Sequence, residues 1–580
     1  MNPRGLRAET LEPAASADRK TGRVRLLLIT IAILVVLAAT SGRPAFVHWQ
    51  HGRLISAAAR SFAHGDLRSA SLSAREAFLK NPASIAACAI LAEIAAQQHS
   101  PEAILWRQRL VEIDPAKTAR LLDLATTASA LGESFVAARA MEQIAAPDRD
   151  SAAFHITAGS IAITAKQFAQ AEAEFRHAAE IDPKNENIRL NLATLRLALA
   201  PPDAASEAVA TLERFREIPR HRTAALRALL ADARRRGDSA RAVSLADELR
   251  RGENSTLGDM LLWLEELQRT NSPEFDAQLR ELQSAAEKSE HTIYSLMTWM
   301  NARGLAAQTV AWAGSLSAPA RSRIPVPLAF AEACLLTGDW KRARTLVAEG
   351  DWGDLDFLRF AFHARVLDEA AGHLRRAEFR TMWERATNST RGNTNALSML
   401  ARLVTGWGWK DEAAQLWWII ARNNAGQRPA LQALYAMHAA DRNTRELHRV
   451  ARRIFAIEPG NPAAKNNLAS LALLLGDELP EAHRLAAENF KLDATQPAFA
   501  ATYAMSLHLQ QRGAEAVAIL EKLPAATFDD PSAAATFGVI LHAAGEPAKA
   551  APFLEKAVSG KDRLFPEENS MVAAAQNRTP

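Results

Sequence analysis

The side chains of this 580-residue chain best suited to chemistry are two cysteines, 15 histidines and twelve tryptophans, and their spacing speaks against a reaction centre. Cys88 and Cys334 stand far apart, with no CxxC pair and no metal-ligand spacing around either. They read as two buried thiols. The sequence holds no HExxH, no G-x-S-x-G, and no strand–glycine loop–helix unit that would cradle a phosphate. His508 and His542 fall one repeat apart and could approach each other, but two imidazoles need further ligands to hold a metal. Acidic residues lie mostly on polar faces, so no carboxylate pair stands out for acid–base work. The expectation is no catalytic residue, no metal and no cofactor. The tryptophans suggest a different chemistry. Trp407, Trp409, Trp417 and Trp418 cluster in the stretch GWGWKDEAAQLWW. Trp417 suits a core, whereas Trp407 and Trp409 fall in a turn, where an aromatic platform can stack on sugars or on a partner's apolar side chain.

The elements that position these residues are set by a repeat. A small residue recurs about every 34 positions, at Ala70, Ala103, Ala137, Ala171, Ala208, Ala242, Ala277, Thr309, Ala343, Ala377, Ala413, Leu447, Ala482, Ala516 and Ala550, with Thr309 and Leu447 departing from the rule. A glycine precedes it by five in many copies, as at Gly65, Gly132, Gly237, Gly304, Gly338, Gly372, Gly408 and Gly545. Within Lys166–Pro183, KQFAQAEAEFRHAAEIDP, apolar residues step by three and four and so share one helical face. Asp182-Pro183 ends that helix, because a residue before proline is pushed out of the α region. Pro82, Pro115 and Pro459 repeat the stop. Each unit is thus helix A, a tight turn whose glycine adopts the left-handed conformation, helix B, and a proline or polar turn. One such hairpin cannot bury its apolar face. Stacking on neighbours does so, at roughly 25 cal/mol per Å² removed from water.

This pattern resembles the tetratricopeptide repeat family, which combines small residues on both helices, a large apolar residue on helix B (here Phe175, Trp417, Leu554), a second small one (Ala77, Ala178, Ala557) and a closing proline. About 15 units fit between residues 50 and 560. The resemblance implies an all-α, right-handed superhelical solenoid with a concave groove lined mainly by helix A, built to bind a protein or peptide. Its inward positions are mostly apolar in the first five units and polar from the sixth to the eleventh: Arg227, Arg234, Arg235, Glu266, Arg269, His291, Tyr294, Asn301, Glu332, Arg359, Glu369, Asn395, Ser398 and Arg402. These form the candidate partner-binding groove. The Lys/Asn clamp with which some family members hold a C-terminal carboxylate is not matched, since Ser398 and Arg402 stand in its place. Family members also assist polysaccharide synthesis and export, so a glycan is the alternative ligand, with Trp407 and Trp409 as its platform.

A net charge of +4, with both signs interspersed, lacks the concentrated basic patch of a nucleic-acid binder. Leu26–Ser41 carries no charge, with Arg19, Lys20, Arg23 and Arg25 before it and Arg43 after it. It reads as one transmembrane anchor over residues 23–42, the alternative being a signal peptide cleaved near Ala38–Gly42. The preceding cations place residues 1–22 in the cytoplasm as a disordered tail and the repeats beyond an inner membrane. Residues 561–580 read as a C-terminal tail. The whole suggests a membrane-anchored extracytoplasmic scaffold in envelope assembly, secretion or export, and no enzyme.

Overall fold

The computed structural model describes residues 46–577, except 99, 116, 200, 202–204, 254, 371–375 and 423–426. The expected membrane span, Leu26–Ser41, and Gly372 lie outside the described residues. Among those described there is no strand, and no helix is long and apolar enough to cross a membrane. Among the described residues fifteen antiparallel hairpins follow one another, the first pairing residues 46–63 with Leu67–Lys80 and the last pairing Pro531–Ala543 with Pro547–Ser559. Backbone contacts divide the chain into two units, Met1–Asp232 and Ala233–Pro580. Within each unit a helix A packs on its own helix B and on the next helix A, as Thr118–Ala130 does on Ser134–Glu142 and Ala152–Thr164.

The turns explain why hairpins form where they do. Gly65, Gly237 and Gly338 have φ of 72–77°, which closes helix A in the left-handed region. The aspartate after each glycine then caps helix B: Asp66, Asp238 and Asp339 each accept from the backbone N–H three residues on, at 3.0 Å. A Gly-Asp pair therefore ends one helix and starts the next. The residues before proline (Asn81, Asp114 and Asp182) are C-caps with ψ of 71–93°, outside the helical region. The recurring small residues sit where helices touch: Ala70, Ala103, Ala137, Ala171, Ala242, Ala343, Ala413, Ala516 and Ala550 are fully buried, and so are Thr309 and Leu447.

Three expectations need correction. Ala277 and Ala377 are exposed. In those two helices the buried positions are Leu279 with Ala286, and Ala386. The turn from Arg269 to Phe275 is longer than a Gly-Asp turn, so the buried face there arrives two residues late. The segment after residue 561 is not a polar tail: Pro566–Asn577 is a helix with Glu568, Val572 and Ala575 buried. It turns back and packs on the A helices Pro531–Ala543 and Pro462–Leu475, two hairpins apart. Met571 lies against the clusters around Leu541 and Leu473, and Phe565 against the one around Leu468. The helix thus crosses the A-helix face that the B helices leave uncovered.

Candidate functional site

The polar positions expected in the groove separate into a bound network, side chains held by local partners, and exposed side chains. Glu266 is fully buried on helix Leu257–Arg269. Its Oε1 accepts from Arg234 Nε at 2.5 Å and its Oε2 from Arg269 Nη2 at 2.6 Å. A buried carboxylate is tolerated because both of its oxygens are taken by guanidinium donors. Next to it, Glu265 accepts from Arg303 at 2.5 Å and faces Arg234 at 3.5 Å. Three successive hairpins are therefore joined through two glutamates and three arginines. Asn301, also buried, donates from Nδ2 to the Ala329 carbonyl at 2.9 Å and to Glu332 at 3.4 Å, linking one A helix to the next. Burial raises the Tyr294 phenol above its ordinary range, with Glu332 adding to the effect and a hydrogen bond with Thr298 opposing it.

The remaining positions have other surroundings. Arg359 is held by Asp356, at 2.6 Å, and by the Val347 carbonyl. Glu369 accepts from Arg365, and the Ser398 hydroxyl donates to the Thr394 carbonyl. Arg227, His291, Asn395 and Arg402 are exposed. The structure thus brings together Arg234, Glu266 and Arg269, and separately Asn301 with Glu332. The other positions are not gathered into one site.

Trp407 and Trp409 are half-buried and face protein. Trp407 meets Phe362 edge-on at 4.9 Å and lies under Arg365 at 4.8 Å. Trp409 packs against Trp407, Phe379 and Trp383 at 5.2–5.9 Å. The aromatic turn fastens one hairpin to the previous one. Trp417 is buried, as expected, and its Nε1–H donates to Thr405 Oγ1 at 3.0 Å. Cys88 and Cys334 are free and fully buried, and desolvation pushes the Cys334 thiol up to about 12.

At the end of the chain, a cavity of about 310 Å³ opens between the fold-back helix and the A helices, lined by Asn466, Thr502, Ser532 and Glu568. Ser532 Oγ and the Phe565 N–H both donate to Glu568. Burial nevertheless raises the Glu568 carboxyl, with Asp530 and Glu567 adding to the effect. The Asn466 side-chain carbonyl, buried at the same cavity, has no hydrogen-bond partner. Reading the sequence missed this site because it placed the last helix in solvent. His508 and His542 join no three-ligand group among the described residues. One such group does form, at Asp150, His155 and His177, where nothing had been singled out.

No protein-family model matches the chain, and no curated protein does. Solved structures similar to it include Pseudomonas aeruginosa PilF (17% identity, 39% of this chain, 99% of that one, TM-score 0.29). A tetratricopeptide repeat protein from Parabacteroides merdae matches at 18% identity over 40% of this chain and 92% of its own, with a TM-score of 0.33. The anaphase-promoting-complex hetero-tetramer Cut9–Hcn1 covers 90% of this chain and 96% of its own at 10% identity and a TM-score of 0.27. At these scores the likenesses say nothing about arrangement, and the repeat assignment rests on the hairpins themselves. On that basis the chain is an all-helical protein of tetratricopeptide-like repeats.

Proposed function

We propose that this chain is a helical-repeat scaffold that docks a segment of a partner protein on the uncovered faces of its A helices. The observation that carries the reading is the fold-back helix Pro566–Asn577, which seats Val572, Ala575 and Glu568 across those faces in the last hairpins. It supports, from within one chain, a guest of this kind for such faces: a short helix with a narrow apolar stripe and an acidic side chain. Mid-chain, the exposed Asn395 and Arg402 offer donors on the same helix type, and arginine favours carboxylates of a guest. The uncharged run Leu26–Ser41 and the cations ahead of it support an anchor in an inner membrane, with the hairpins on the extracytoplasmic side. Envelope assembly, secretion or export is the setting this topology suits. A glycan platform finds less support, because Trp407 and Trp409 stack on neighbouring rings.

The test is a photo-crosslinking residue at Asn395 or Arg402 in the cells that make the protein. Capture of one defined protein there, and none at the exposed Asp411 on helix B, is the expected result. Capture at Asp411 alone would overturn the docking face. A C-terminal tag that stays shielded behind an intact inner membrane would refute the topology.

A further inference from the structure

The fourth hairpin carries a feature that the scaffold reading does not use. His155 lies near the start of helix Ala152–Thr164 and His177 near the end of helix Phe168–Ile181, so the antiparallel pairing puts both at one end of the hairpin. The helices come unusually close there. A Cβ added to Gly159, one turn beyond His155, would stand 2.9 Å from the Phe175 ring. The approach leaves the two imidazole centroids 4.4 Å apart. Asp150, in the turn before the hairpin, completes the group: its Oδ1 lies 3.3 Å from His177 Nε2 and 3.8 Å from His155 Nε2.

Three details separate this group from ordinary surface ion pairs. His155 Nδ1 donates to Glu174 at 2.7 Å, and His177 Nδ1 faces Glu180 at 3.3 Å. The His155 ring is therefore held through Nδ1 by a carboxylate and the His177 Nδ1 has one close by, with both Nε2 atoms turned toward the other ligands, which is how metal-binding histidines are oriented. Second, His155 Nε2 is buried and has no hydrogen-bond partner. A buried nitrogen lone pair left unmatched calls for a reason. Third, the spacing fits an ion. Bonds of about 2.05 Å to a tetrahedral Zn²⁺ place neighbouring ligand atoms about 3.3 Å apart, and all three ligand atoms lie within 4.8 Å of one another.

We infer that Asp150, His155 and His177 form a binding site for a zinc-class divalent ion. Two neutral imidazoles and one carboxylate supply three ligands, and the fourth position faces solvent beside Asp150, whose side chain is 81% exposed. Glu174 and Glu180 orient the rings and do not touch the ion. Imidazole with carboxylate favours Zn²⁺ over Mg²⁺, which prefers an all-oxygen shell.

The experiment uses the full untagged chain in detergent, stripped with chelator and titrated with Zn²⁺ by calorimetry. One ion per chain is expected, with no comparable heat from Mg²⁺. His177→Ala and Asp150→Asn alter exposed side chains, so both variants keep the fold by circular dichroism. Each is expected to weaken the site at least tenfold, and Glu174→Gln to weaken it by about 10–100-fold. His64→Ala, at an exposed histidine elsewhere, leaves it unchanged. Absence of binding at millimolar Zn²⁺, equal binding of Mg²⁺, or undiminished affinity in folded His177→Ala protein would each overturn the assignment.

Discussion

Replacing Val572 by aspartate should release the fold-back helix while leaving the hairpins intact. Val572 is 3% exposed and packs in the last core cluster. Its burial contributes about 2 kcal/mol. An aspartate there would in addition have to bury an unpaired carboxylate, which costs several kcal/mol in a protein interior. Asp530, Glu567 and Glu568 already make that end of the chain acidic, which adds repulsion to the cost. The combined penalty of at least about 4 kcal/mol corresponds to roughly a thousandfold rise in the detached population. The segment's remaining hold rests on Leu564, Glu568 and Ala575, which are buried, and on Met571 and Phe565, which are partly so. Hydrogen exchange read by mass spectrometry should show residues 566–577 losing protection about a thousandfold, with helix Thr394–Gly406 unchanged. A synthetic peptide of residues 561–580 should bind the Val572→Asp protein more tightly than the parent. Unaltered protection of 566–577 would refute both the docking and the argument that A-helix faces accept helical guests.

Other outcomes follow from particular residues. Because burial keeps Glu568 protonated to higher pH than an unfolded glutamate, docking of its helix should be strongest below about pH 4 and weaken as pH rises through the raised value; exchange rates of 566–577 measured from acid to neutral pH check this, and Glu568→Gln should flatten the profile. Lys166 holds φ 59° at a hairpin turn where other copies have glycine, so Lys166→Gly should stabilise that hairpin by about 1 kcal/mol in a denaturant titration. Gly538→Val should destabilise the last hairpin by about 1–3 kcal/mol, since even a Cβ there would meet Leu554 at 2.8 Å; a melting scan reads the loss. Cys334, fully buried with its thiol pushed up to about 12, should resist alkylation until the chain unfolds.

The hairpins were legible because their signals are local. Glycine at Gly65, proline after Asn81 and a small residue at Ala70 each act within one turn of the chain, and each does in the structure what its chemistry dictates. The register slipped at Ala277, where no Gly-Asp pair marks the turn. The fold-back helix was not legible. PEENSMVAAAQN is polar in composition, and only A helices two hairpins apart, Pro462–Leu475 and Pro531–Ala543, together make a place for its few apolar side chains. The polar helix A residues were legible singly, but their pairing was not. Arg234 and Glu266 are 32 positions apart, near one repeat, and that offset is the signal that would have joined them. The histidine group escaped notice because Asp150, His155 and His177 spread over two helices and the preceding turn, and no fixed spacing announces such a set.

The backward turn of residues 566–577 also sets an order of events during synthesis. An early hairpin can close as soon as it emerges, since its neighbours are already made. The layers at Pro462–Leu475 and Pro531–Ala543 wait for a piece encoded after both of them. That end of the array therefore matures after translation has passed it, and until then it shows any passing helix an open seat.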